Sequence, residues 1–141
     1  MEIAWILVVL CVMVSWTDVR RRRIPNRTLL VGLLLIGGIA VVSWPKELWL
    51  AHLACGVGVA VIFGAAAWFW PDHLGMGDVK LLGVLGFALG LPPFVWILTV
   101  TCFLILLFAL PLLTVKRIKG KSSLPFAPFV TLGLLCYLVS I

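Results

Sequence analysis

The chain has 141 residues, 64% apolar and 11% charged, with a mean hydropathy of +1.26 and a net charge of +6. No soluble domain of this size needs so much apolar material, which excludes a soluble globular protein and indicates an integral membrane protein. The positive charge lies almost entirely in short links between apolar runs, as orientation signals do, and this excludes nucleic acid as a partner.

A membrane-crossing helix needs about 20 mostly apolar residues. Residues 2–17 form the first such run, ending at Trp16-Thr17, and residues 28–43 form the second, with Ser43-Trp44-Pro45 as its exit. A third covers 48–70, closed by Trp68-Phe69-Trp70-Pro71. Residues 78–91 make a shorter fourth. Pro92-Pro93 is expected to end it, because proline cannot continue a hydrogen-bonded helix. Residues 94–115 and 124–141 are the fifth and sixth. The expected fold class is all-α, a polytopic membrane bundle of about six transmembrane helices, with residues 1–141 as one domain.

The links alternate in charge. Arg20, Arg21, Arg22, Arg23 and Arg27 follow the first run, Lys80 lies at the start of the fourth, and Lys116, Arg117, Lys119 and Lys121 follow the fifth. The other side holds only Lys46. The positive-inside rule then puts the basic links in the cytoplasm and both termini outside the cytoplasmic membrane. Trp16, Trp44, Trp49, Trp68 and Trp70 suit the membrane interface. The start carries Glu2 rather than basic residues, and no small-x-small site precedes the arginines, so the first run reads as a retained span.

Cys11, Cys55, Cys102 and Cys136 are scattered singly with no CxxC pair, so they read as packing residues rather than a zinc site. Gly56, Ala60 and Gly64 fall four apart on the third run, and Gly86 and Gly90 on the fourth. Small residues at that spacing let helices approach closely, within the bundle or, as a minority reading, at a homodimer interface.

Two aspartates stand out. Asp18 ends the first apolar run, and Asp78 ends Gly75-Met76-Gly77-Asp78 and starts the fourth. Acidic groups beside hydrocarbon are costly and are functional candidates by default. Both fall at cytoplasmic helix ends, which one small bundle can bring together. Two carboxylates about 3 Å apart share a proton, since both cannot easily ionise. The ionised member can take a proton from water while the other donates to a carbonyl oxygen, which is peptide hydrolysis without metal or cofactor. Gly75 and Gly77 permit unusual backbone shapes and close approach, so a peptide could lie alongside as an added strand. A glycine loop before an N-capping Asp is also an ordinary helix start.

Asp18 with its arginine-rich sequel and Ile24-Pro25-Asn26, then Gly75-Met76-Gly77-Asp78-Val79-Lys80-Leu81, then Pro125-Phe126-Ala127-Pro128-Phe129, together resemble the type IV prepilin peptidases, GxGD-type intramembrane aspartyl proteases. The resemblance covers nearly the whole chain in the right order. It implies that Asp18 and Asp78 are catalytic, that Gly75 and Gly77 form the active-site loop, and that Pro125, Phe126, Ala127 and Pro128 line the site. It also implies a substrate: prepilin-like proteins whose short basic leader is cut on the cytoplasmic side. The bifunctional members carry a cytoplasmic segment, often with paired CxxC motifs, between the first two spans, associated with N-methylation. Here that link is about residues 18–27, so the chain looks like the peptidase-only branch that accompanies Flp-type tight-adherence pili.

Other polar residues carry milder expectations. Asp72 reads as a solvated loop acid, His73 as an exposed loop histidine and His52 as an interfacial or helix-bonded residue. Lys80 either snorkels to headgroups or pairs with Asp78. The Arg20–Arg23 cluster, which would repel a basic leader, is given a topology and lipid-headgroup role. An archaeal-type preflagellin peptidase, a small proton-coupled transporter using Asp18 and Asp78, and a non-catalytic assembly scaffold stand as alternatives. A transporter would favour acids near mid-span. Oligomeric state is open.

Overall fold

A computed structural model describes residues 2–21, 24–70, 74–114 and 125–140. Along them run six helices: α1 (Glu2–Arg21), α2 (Asn26–Ser43), α3 (Lys46–Phe69), α4 (Met76–Leu89), α5 (Leu91–Thr114) and α6 (Ala127–Ser140). The expected all-α bundle is found, and no strand occurs among the described residues. Helices α1, α2, α3 and α5 are long and apolar enough to cross a membrane. The exterior carries large apolar side chains such as Val42, Ile62, Trp68, Phe103 and Val139, as a lipid-facing surface does.

Helices α4 and α6 have 14 residues each. At 1.5 Å per residue they are about 21 Å long, short of the roughly 30 Å hydrocarbon core. Helix α4 is the central element. Val79, Leu81, Leu82, Val84, Leu85, Phe87 and Ala88 are all buried, so beyond Lys80 it is apolar around its circumference because neighbours cover most of it.

Helix boundaries lie within a few residues of the expected ones, with two differences that matter. The first helix continues past Thr17 to Arg21, so Asp18 sits inside its last turn. Arg20 and Arg21 there complement the negative end of the helix dipole. The second difference corrects the expected role of Pro92-Pro93. Helix α4 stops at Leu89 because Gly90 takes φ +76 and ψ 178, a region open essentially only to glycine. The two prolines instead occupy the first turn of α5, where a missing N–H costs nothing. The α5 ladder begins with the Phe94 amide donating to the Gly90 carbonyl at 3.2 Å.

His52 of α3 braces this corner. Its Nδ1 donates to the Phe87 carbonyl at 3.0 Å, satisfying one of the orphan carbonyls at the α4 C-terminus. The Trp44 ring packs over it with centroids 4.4 Å apart. His52 is thus helix-bonded. Gly90→Ala would force a strained backbone and set a methyl 2.9 Å from His52 Nε2. We expect it to cost about 1–3 kcal/mol, read as a lower thermal unfolding midpoint in detergent.

The most extensive packing is α3 on α4, followed by α1 on α6 and α5 on α6. At the first, Gly56 and Ala60 face Gly83 and Gly86; a Cβ on Gly86 would lie 3.4 Å from the Gly56 Cα. The small residues are therefore used inside the chain. The partner of Gly86 in this role is Gly83 rather than Gly90. Helices α2 and α3 touch only lightly. A groove of about 590 Å³ opens between them and α4, with Leu30, Leu33, Leu53 and Val57 on its walls and Asn26 and Lys80 at one end.

Candidate active site

Three helix termini meet at one end of the bundle: the end of α1 and the starts of α4 and α6. Asp18, in the last turn of α1, is only 8% exposed. Its Oδ2 accepts the Ala127 amide at 3.2 Å. That donor is free for a local reason. The first amides of a helix lack intrahelical partners. Pro128 has no N–H, and the Phe129 and Val130 amides donate to the Phe126 carbonyl at 3.1 and 3.3 Å. The Ala127 amide is left pointing out of the α6 N-terminus, whose partial positive charge favours an anion there.

Asp78 lies in the first turn of α4, behind Gly75 as N-cap. Glycine has no side chain with which to cap, and the carboxylate of Asp78 turns back to the Gly75 amide instead. This is the acidic half of a capping box. A Cβ on Gly75 would lie 3.2 Å from Asp78 Oδ2. Asp18 and Asp78 thus lie at the same end of the bundle, near enough for the charge of Asp18 to be felt at Asp78. Neither is at mid-helix.

The glycines serve differently from the expectation of unusual backbone shape. Gly75 is extended, at φ −74 and ψ 139, and Gly77 is helical. Both are needed for room. A Cβ on Gly77 would approach the Ile24 Cβ to 3.0 Å. Two residues beyond Asp78, Lys80 Nζ donates to Asn26 Oδ1 at 3.0 Å. Lys80 therefore bonds Asn26 rather than pairing with Asp78, because two residues along a helix turn a side chain to the far side. Ile24 and Asn26 together clamp the start of α2 onto the first turns of α4. Both segments stand out in the sequence, but nothing there links them.

In the Pro125–Phe129 stretch, Ala127 is the residue in contact with Asp18, Phe126 packs against the hydrophobic core, and Phe129 stacks near Phe108 at 5.6 Å. Pro125 and Pro128 are half-buried beside them. Arg20 lies over the Trp16 ring, 4.9 Å from its centroid, directed back along α1. Asp72, His73, Arg22, Arg23, Lys116, Arg117, Lys119 and Lys121 lie outside the described residues. Among the described residues no three His, Cys, Asp or Glu side chains converge as metal ligands would. The α2–α3–α4 groove is lined by neither aspartate.

A family model described as "Type IV leader peptidase family" matches residues 5–110. The chain is 28% identical over 136 residues to the prepilin leader peptidase/N-methyltransferase of Bacillus subtilis (strain 168), covering 96% of this chain and 54% of that relative. It thus spans about half the length of the curated relative it matches. No solved structure matches it.

Proposed function

The chain belongs to the type IV leader peptidase family, and from that premise we propose that it is an aspartyl endopeptidase that removes the basic leader from prepilin-like proteins at the cytoplasmic face of the cell membrane. The observation that carries this reading is the convergence of Asp18, buried in the last turn of α1 and bonded to the Ala127 amide, and Asp78, in the first turn of α4, where the ends of α1, α4 and α6 meet. The pair shares one proton. Its ionised member takes a proton from water, whose oxygen adds to the scissile carbonyl carbon while the protonated member donates to the carbonyl oxygen. Collapse of the tetrahedral species breaks the C–N bond, and the proton taken from water passes to the leaving amine. The catalytic roles of both aspartates are part of this proposal.

The short α4 suits such chemistry. Its start stops short of the membrane surface if its far end reaches the opposite one, which recesses the site while leaving it within reach of water. Exposed Gly75, with its extended backbone ahead of Asp78, offers an edge beside which a peptide can lie as an added strand. Positive charge near the cytoplasmic ends of α1 and α2, at Arg20, Arg21 and Arg27, supports this orientation.

Methylation is left out of the proposal. Family resemblance ties it to a segment between the first two spans, and here α1 ends at Arg21 and α2 begins at Asn26. Co-expression with candidate prepilin-like proteins tests the reading by mass spectrometry. A product that has lost its leader and carries no added methyl group is expected; intact prepilins in every pairing would refute it. Gly77→Val is expected to press on Ile24 and tilt the start of α4. We expect overpacking there to cost about 1–3 kcal/mol and to slow leader removal in the same assay.

A further inference from the structure

We infer that Thr131, together with Ser15, is a positioning residue for Asp18: their hydroxyl pair holds the start of α6 in register with the end of α1, and so aims the Ala127 amide at the Asp18 carboxylate. The inference rests on the peptidase reading and deepens it. It concerns α6, which lies beyond residues 5–110 that the family model matches.

Thr131 is 7% exposed and, with Asp18 and Thr101, is one of the few buried polar side chains among the described residues. Its Oγ1 is 2.6 Å from Ser15 Oγ, 3.2 Å from the Cys11 carbonyl and 3.0 Å from the Ala127 carbonyl. A hydroxyl has one hydrogen and two acceptor sites. Carbonyls only accept, so the Thr131 hydrogen goes to them and Ser15 donates to Thr131. The spacing places this bond one turn from the acid. Ser15 precedes Asp18 by three residues and Thr131 follows Ala127 by four, so both pairs share a helix face. Ala127 is gripped twice, its amide by Asp18 and its carbonyl by Thr131.

Such a device is needed because of the solvent. In water, sliding one helix along another exposes apolar surface and is penalised. In lipid it is not, since hydrocarbon is as apolar as the buried Leu7 and Val14 of α1 and Val130 and Leu134 of α6. Apolar packing alone leaves the register of two helices weakly determined. A part-buried hydroxyl pair favours one register, because slippage gives up the bond between Ser15 and Thr131 and the bond from Thr131 to the Cys11 carbonyl, leaving each hydroxyl only an acceptor on its own helix. Acid–base catalysis by a carboxyl pair depends on placement to well under an ångström.

The test uses the purified full-length chain in detergent with a prepilin-like substrate, measuring kcat, KM and the thermal unfolding midpoint. Thr131→Val keeps the shape and removes the hydroxyl. Folding should survive, because Ser15 can turn its hydroxyl to the Cys11 carbonyl one turn back on its own helix. Thr131→Val is expected to lower kcat by about tenfold to a hundredfold with KM changed less than about twofold, and Thr131→Ser to restore most of the loss. A kcat within about twofold of wild type, a change confined to KM, no rescue by serine, or a loss that tracks the folded fraction would each overturn the inference. If Thr131→Val does not accumulate, Ser15→Ala decides. It leaves the Thr131 bonds to both carbonyls in place, so a several-fold fall in kcat supports the register role and an unchanged kcat overturns it. Wild-type protein that cuts no prepilin-like substrate would refute the peptidase reading and the inference with it. Wild-type cleavage unaffected by Thr131→Val would refute the inference alone.

Discussion

Asp18→Asn and Asp78→Asn are each expected to abolish leader removal while the protein still accumulates in the membrane. The substitution keeps the size and hydrogen-bonding shape of the side chain. At position 18 the new side chain keeps an oxygen able to accept from the Ala127 amide, which lies 3.2 Å from Asp18 Oδ2. At position 78 the new amide oxygen can still accept from Gly75. Neither change takes away the acceptor of a buried backbone donor, so the fold should hold. What disappears, on the proposed mechanism, is one carboxyl of the acid–base pair. General acid–base catalysis is worth about 10²–10⁴-fold in rate, and each variant should lose at least that much. The two residues act as one unit, so the double variant should be little worse than either single one. Prepilin-like substrate co-expressed with each variant should keep its leader by mass spectrometry. Full cleavage by either single variant would sink the aspartyl mechanism.

Gly56→Ala is expected to destabilise the bundle by forcing two helix backbones apart. The new Cβ would stand 2.7 Å from the Phe87 Cβ, 3.0 Å from the Gly83 carbonyl oxygen and 3.0 Å from the Phe87 backbone nitrogen. Two of these neighbours are backbone atoms of α4, and a rotamer change cannot move them. Helices α3 and α4 must separate along the most extensive interface in the molecule. Overpacking of this kind costs about 1–3 kcal/mol. Because α4 also carries Asp78, the displacement should slow leader removal as well as lower the unfolding midpoint. Gly58→Ala, two residues along the same helix with nothing within 4 Å of the added carbon, is the matched control. There the helix should gain stability by up to about 1 kcal/mol from alanine's higher propensity. Equal midpoints for the two variants would contradict the close α3–α4 approach.

The alternating apolar runs and basic links determined by themselves that this chain is a helical membrane bundle, how many helices to expect and in what order. They also put Asp18, Asp78 and Ala127 at helix ends that the alternation assigns to one side. These properties are readable because the membrane requirement is local: each crossing segment must satisfy its backbone internally and must be apolar over its own length. Only the tertiary structure decided which face each helix turns to which neighbour. Beyond Lys80 helix α4 is apolar on all sides, and so are the lipid-facing helices around it over most of their length. With no polar face to mark the outside, the sequence carries no signal of rotation or register. Hence the Gly56–Gly83–Gly86 seam, the turn of Lys80 to Asn26 and the Ser15–Thr131 bond appear only in the assembled bundle. Each depends on two helices meeting at a particular angle about their axes, and in lipid that angle is set by small side chains and buried polar bonds, not by the hydrophobic pattern along either chain.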